Sequence, residues 1–218
     1  MIDVGSICRP QDKGIRRDLH RLLDFLDDLQ YRIPSLYKIS PMIELIYNKN
    51  IYNKELTGVE IGTFRGINAH TILAFLNIKK LYLIDPYLQY DDYVEAWIPE
   101  HSQTDFNEDY AIAKKRLSKS KDKIRFIKMK ADEAIMLSGL IPDNLDFVYI
   151  DGNHAYEYVK KDIELYYPKI KQGGILGGDN FEVEFKGVPR AVLEFVDKTG
   201  HKLYGADKDW WIVKGDMQ

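Results

Sequence analysis

The chain has one cysteine, Cys8, among its 218 residues. No disulfide can form within it, and a reducing compartment is expected. Long apolar runs are also absent, since no stretch approaches the ~20 residues that span a bilayer. The start, Met1-Ile-Asp-Val-Gly-Ser, lacks the basic and apolar regions of a secretory leader, so the cytoplasm is the expected location. There is no charge excess either: 31 Lys and Arg stand against 34 Asp and Glu, a formal net charge of -3. Such a balance draws in neither nucleic acid nor an anionic membrane. Repeats and low-complexity tracts are missing. The one local bias is the group Lys114, Lys115, Arg116, Lys119, Lys121 and Lys123. No aromatic residues are interleaved with it, so it reads as a solvated helix end facing the negative pole of the helix dipole.

What is present is ordinary for a globular protein, with 45% hydrophobic and 30% charged residues. The length suits one α/β domain with some decoration. Residues 1–56 read as an N-terminal helical extension. Apolar residues from Leu19 to Leu29 follow one helix face, and a second helix begins at Ser40-Pro41, with Ser40 as N-cap. Residues 57–218 change pattern. Short apolar runs at 58–62, 81–84, 124–129, 145–150 and 174–177 read as strands. Helical patterns at 67–76, 133–137, 156–170 and 188–197 alternate with them, and another runs on from Asn107. The end, 201–204 and 210–213, reads as two strands joined by so short a turn that they must be antiparallel. The expected fold is a doubly wound, mostly parallel seven-stranded sheet with an antiparallel last strand. The segment 85–107, with Tyr87, Tyr90, Tyr93, Trp97 and Phe106, shows no clear period and is either a functional loop or a surface insertion.

Ligands of an open parallel sheet sit beyond the carboxyl ends of its strands. The first such end is Val59-Glu60-Ile61-Gly62-Thr63-Phe64-Arg65-Gly66. Its glycines allow a sharp turn and close approach to a ligand, but the spacing is not the Gly-x-Gly-x-x-Gly of dinucleotide binding. Asp85 follows the next strand, about 20 residues past Gly62, the distance at which an acid can accept from both ribose hydroxyls. It could equally be a turn residue before Pro86. Ala131-Asp132 follow the third strand, where they meet an adenine edge or provide a helix N-cap. Asp151-Gly152-Asn153-His154 and Asp179-Asn180 follow the next two. The side-chain oxygens of Asp151, Asp179 and Asn180 at neighbouring tips suit Mg²⁺. His154 is near enough in sequence to serve as a base, or it is a surface histidine in a turn.

This order of motifs resembles the class I S-adenosylmethionine-dependent methyltransferases. It carries Glu60-Ile-Gly62-x-x-x-Gly66, Asp85, Asp132, Ile150-Asp151-Gly152-Asn153-His154 and Gly173-Gly174-Ile-Leu-Gly-Gly178-Asp179-Asn180. Within the class it is most similar to the metal-dependent O-methyltransferases related to macrocin O-methyltransferase, which act on sugars, and more distantly to catechol O-methyltransferase. The resemblance covers residues 57 to 214. It implies that Glu60, Gly62, Thr63 and Gly66 hold the methionine end of the cofactor, that Asp85 binds its ribose, and that Ala131 and Asp132 border its adenine. It also implies a divalent cation on Asp151, Asp179 and Asn180, with Asp151 and His154 as catalytic groups. The sugar-acting relatives carry a second Asp where Asn180 stands, and the catechol type carries a lysine at the place of His154. The implied acceptor is a hydroxyl of a sugar or other small molecule.

Other readings stay open at this point. One is a metal-independent methyltransferase, and another is a non-catalytic cofactor-binding subunit. Tyr156 and Lys160 also match the Tyr-x-x-x-Lys pair of short-chain reductases, although the glycine spacing is wrong for a dinucleotide. Of Trp210 and Trp211, which alternation sends to opposite faces of a strand, at most one can line the site. The N-terminal helices have two open roles, covering the cofactor or forming a homodimer surface.

Overall fold

The computed structural model of the chain describes residues 39–48, 54–88 and 101–217. The helix expected at 19–29 and most of the aromatic segment after Tyr87 lie outside these residues. The described elements are α1 (Pro41–Asn48), β1 (Leu56–Ile61), α2 (Ile67–Phe75), β2 (Ile78–Ile84), α3 (Gln103–Arg116), β3 (Ile124–Ile127) and α4 (Ala131–Met136). They continue as β4 (Leu145–Ile150), α5 (Tyr156–Tyr166), β5 (Ile170–Gly178), α6 (Gly187–Thr199), β6 (His201–Ala206) and β7 (Asp209–Met217). Among the described residues no helix is long and apolar enough to cross a membrane.

The strands form one seven-stranded sheet in the order β3-β2-β1-β4-β5-β7-β6. β1 pairs in parallel with both β2 and β4, and β7 is antiparallel to both β5 and β6. The expected Rossmann-like arrangement is therefore present. The chain builds outward from β1 to β3 and then crosses back to β4, so the order reverses between β1 and β4. The carboxyl ends of those two strands form the crevice where such sheets take ligands.

Helices cover both faces of the sheet. One apolar core, with Val59, Ile61, Val148, Ile150 and Leu176, packs under Ala134, Val159, Ile163, Val188 and Val192 of α4, α5 and α6. The other, with Leu81, Leu83, Phe147 and Ile175, packs under Met42, Ile43 and Ile46 of α1 and Ala69 and Ile72 of α2. The central strands β1 and β4 are buried nearly throughout, which explains why apolar residues on both faces outnumber their few polar ones, Thr57, Glu60 and Asp146. Trp210 joins the first core and Trp211 the second, as strand alternation requires.

Several boundaries differ from the sequence expectation for local reasons. Helix α5 ends at Tyr166 rather than 170, because Pro168 cannot continue it, and Tyr167–Lys169 form a 3₁₀ turn. β5 starts at Ile170 and β7 reaches Met217, each held by backbone pairing through residues that show no apolar signal. β3 stops at Ile127, and α4 starts at Ala131 rather than 133. α3 begins at Gln103, where Ser102 and Asp105 form a reciprocal capping box, so Phe106 belongs to a helix and is buried.

Helix α1 begins as expected, but Ser40 is not its capping acceptor. The Ser40 hydroxyl donates to Asp209 at the start of β7. Asp209 Oδ2 accepts the Met42 amide at 3.0 Å, and Oδ1 accepts the Tyr149 hydroxyl at 3.1 Å. A carboxylate distant in sequence thus satisfies the first turn of α1 and ties it to β4. Asp209→Ala would leave a buried amide and a buried hydroxyl unmatched. The expected loss is about 3 kcal/mol of unfolding free energy in urea at neutral pH. Asp209→Asn, which keeps one acceptor, should lose less. Equal, negligible losses in both would contradict this anchoring role.

Candidate active site

The site is built from the carboxyl ends of β1, β2, β4 and β5. At the end of β1 the chain makes a turn with Gly62, Phe64 and Gly66 all left-handed, at φ 87°, 45° and 75°. Gly62 has no substitute: a Cβ there would lie 1.9 Å from the Asp151 carbonyl oxygen. Phe64 pays a conformational penalty of order 1 kcal/mol that glycine would avoid. Its neighbours hold it there. The Phe64 amide donates to Asp85 Oδ2 at 2.7 Å, and the Tyr87 hydroxyl donates to the Phe64 carbonyl at 2.6 Å. Arg116 donates to the Arg65 carbonyl. That last contact shows that one cation of the basic group has a structural partner rather than water.

Glu60 lies beneath the turn and is 1% exposed. Asn68 of α2 donates to its Oε1 at 2.9 Å, whereas Oε2 is buried without a hydrogen-bond partner. Burial pushes the Glu60 carboxyl up to about 8. Asn68 and Thr63 favour the charged form, and Asp151 and Asp85 oppose it. The Thr63 hydroxyl is likewise buried, near enough to the Glu60 carboxyl to favour its charged form but not aligned as a full hydrogen bond. Two such polar atoms beside a glycine cradle fit a ligand carrying an ammonium group. At the end of β2, Asp85 accepts the Phe64 and Tyr87 amides on separate oxygens, at 2.7 and 2.8 Å. Burial lifts its carboxyl to about 6 against those bonds. Each oxygen keeps a lone pair for a further donor, which fits a ribose diol.

Beyond β3, Ala131 and Asp132 lie in the first turn of α4, and Lys130 takes the N-cap position. Asp132 is therefore not the cap. Its carboxylate is paired with Lys161 of α5, which draws its pKa down, while the Tyr166 hydroxyl donates to the Ala131 carbonyl at 2.8 Å.

Asp151 and Asp179 stand at the tips of β4 and β5, and the Asp179 charge makes Asp151 harder to ionise. Burial lifts Asp151 to about 6, His154 lowers it, and Asp179 and Asp209 raise it again. His154 Nε2 stands 3.4 Å from Asp151 Oδ1, and its Nδ1 is buried. The Phe185 ring meets the imidazole edge-on at 4.7 Å. Asn180, left-handed at φ 62°, turns its amide back to Asp179 Oδ1 at 2.6 Å. Among the described residues no group of three His, Cys, Asp or Glu forms a metal site. Two carboxylates on adjacent strand tips still fit a hard cation, with the Asn180 amide oxygen as a third donor.

Tyr156 and Lys160 are used elsewhere. Both bond Glu194 of α6, and Arg190 lies 3.8 Å over the Tyr156 ring. The pair staples α5 to α6. The sequence reading missed Asn68, Tyr87 and Phe185 as partners of site residues. It also missed Asp109, although this acid falls among Phe106, Ala113 and Leu117 on the buried stripe of α3 and so carried a visible signal.

A methyltransferase-domain family model matches residues 59–181, more than half the chain, and the chain belongs to that family. An uncharacterized protein of Acanthamoeba polyphaga mimivirus is 29% identical over 161 residues, 68% of this chain. The chain spans 62% of that relative's length. The calicheamicin methyltransferase CalS11 superposes with a TM-score of 0.64 at 16% identity, over 80% of this chain and 78% of its own. The O-methyltransferase TomG of Streptomyces achromogenes, solved with S-adenosylmethionine, superposes at 0.57 with 15% identity over 96% and 93%. The fold is that of the class I methyltransferases.

Glu60 gives the site a pH signature. Its native pKa of about 8 lies above the ordinary 4.5. Between these values the native state holds a proton that the unfolded chain has lost, so Glu60 costs stability as pH rises. Ligand-free Glu60→Gln should match wild type near pH 4.5 and exceed it at pH 9 by of order 3 kcal/mol. Denaturant titrations at both pH values check this, and a difference independent of pH would contradict it.

Proposed function

We propose that the chain is an S-adenosylmethionine-dependent O-methyltransferase that uses a divalent cation, Mg²⁺ or a similar ion, and acts on a hydroxyl of a sugar or other small molecule. The observation that carries this reading is the placement of Asp151 and Asp179 on adjacent strand tips. His154 lies against Asp151, and Glu60 and Asp85 lie across the same crevice. The absence of a basic excess argues against a nucleic-acid acceptor, and the single cysteine favours the cytoplasm.

In this reading Glu60 takes the cofactor's ammonium group on the oxygen that has no protein partner. Asp85 accepts the ribose hydroxyls, and the Gly62–Gly66 turn lets the backbone approach. Ala131 and Asp132 border the adenine. When bound, the cofactor supplies an electrophilic sulfonium methyl, and the cation supplies Lewis-acid polarisation of the acceptor hydroxyl. Asp151, Asp179 and Asn180 would hold that cation. With the neutral ring's hydrogen on the buried Nδ1, His154 Nε2 would receive the hydroxyl proton, and Asp151 beside it would stabilise the resulting imidazolium. The rest of the protein's contribution is alignment of two ligands on a rigid rim of strand ends.

Calorimetric titration of S-adenosylmethionine and S-adenosylhomocysteine, with Mg²⁺ and with EDTA, tests the reading. Both should bind, and a separate Mg²⁺ isotherm should vanish in Asp179→Ala while cofactor binding survives. Cofactor binding without any Mg²⁺ isotherm would favour a metal-independent methyltransferase. No cofactor binding in either buffer would overturn the assignment.

A further inference from the structure

A cluster of charged side chains meets beside the Gly62–Gly66 turn, and the chemistry above makes no use of it. Asp109 of α3 is fully buried. Its Oδ1 accepts from Arg65 Nε at 2.7 Å, and its Oδ2 lies 2.6 Å from His101 Nε2. The Arg65 and His101 side chains are only 11% and 5% exposed. Phe106 packs edge-on against His101 at 4.8 Å. Removing such a carboxylate from water is costly, and the arrangement returns direction rather than simple packing energy.

The direction matters because of where Arg65 sits. It lies between Phe64 and Gly66, both left-handed. Asp85, Tyr87 and Arg116 hold the main chain of Phe64 and Arg65. Asp109 adds a grip on the Arg65 side chain from a separate helix. The turn's conformation is thus set jointly by β2 and α3, and a non-glycine left-handed residue persists where its surroundings over-determine it.

We infer that Asp109 is a positioning residue: through Arg65 it holds the Gly62–Gly66 turn in the shape that receives the amino-acid end of S-adenosylmethionine. The inference rests on the cofactor reading above. Losing the carboxylate frees Arg65 to turn away and lets the strained backbone relax, while Asp85 keeps its own place at the end of β2. The effect therefore falls on ligands that carry the amino-acid end and spares those that do not.

The test is calorimetric titration of S-adenosylhomocysteine and of 5′-methylthioadenosine, which lacks the amino-acid end. The proteins are wild type, Asp109→Asn, Arg65→Gln and the double variant, each well below its melting temperature. Each single variant should bind S-adenosylhomocysteine about tenfold more weakly, and the double variant no more weakly than either, because both act through one contact. Methylthioadenosine affinity should change by less than about twofold. Arg65→Lys, which keeps the charge, should recover part of the loss. Folded variants with wild-type affinity for S-adenosylhomocysteine, or with equal losses for both ligands, would overturn the inference. If Asp109→Asn does not fold, Arg65→Gln carries the same comparison. Failure of wild type to bind S-adenosylhomocysteine would instead sink the cofactor reading, before any variant is compared.

Discussion

The backbone of Gly62 crosses the Asp151 carbonyl so closely that no side chain fits between them. This contact joins the end of β1 to the end of β4 at the point where the strand order reverses. On one side of it lies the turn with Glu60 and Asp85 around it, and on the other the acid-rich tips of β4 and β5. A bulkier residue would push these two halves apart, and a methyl donor and its acceptor have to meet within a few ångströms. The strand register reinforces the contact, since Ile61 pairs with Ile150 and the Asp151 amide donates to the Ile61 carbonyl at 2.8 Å.

Around this junction the protein concentrates carboxylates that it does not neutralise. Glu60, Asp85 and Asp151 are each lifted above the ordinary carboxyl range by burial, and a nearby carboxylate adds to each, Asp151 and Asp85 to Glu60, Asp109 to Asp85, and Asp179 and Asp209 to Asp151. Asp109 and Asp209, buried away from this rim, are held by partners within the fold, Asp109 by Arg65 and Asp209 by Ser40, Met42 and Tyr149. In the proposed reading, the cofactor's ammonium group and a cation with oxygen preference would lower the cost of this charge.

Much of this was legible in the sequence. The alternation of short apolar runs and amphipathic stretches pointed to the strand count and the helix layers, because burial on both faces makes central strands mostly apolar. Glu60, Asp85, Asp151, Asp179 and Asn180 were singled out for their expected place at strand ends, and the structure puts them at the ends of β1, β2, β4 and β5. What stayed hidden was tertiary. Asp209 caps a helix whose own Ser40 looked sufficient, and Asp132 has its partner in Lys161, far along the chain. The start of β5 at Ile170 and the end of β7 at Met217 are held by backbone pairing with Leu145 and His201, beyond polar and glycine residues that interrupt the apolar pattern. Arg65 reads as an ordinary residue between glycines until Asp109 is placed beside it.

The most direct test of the account is a crystal structure of the protein with S-adenosylhomocysteine. The account predicts the ligand across the ends of β1 and β2, with its ammonium group at Glu60 Oε2, its ribose hydroxyls on Asp85 and its sulfur turned toward Asp151 and His154. A ligand bound elsewhere, or bound with its ribose away from Asp85, would contradict it.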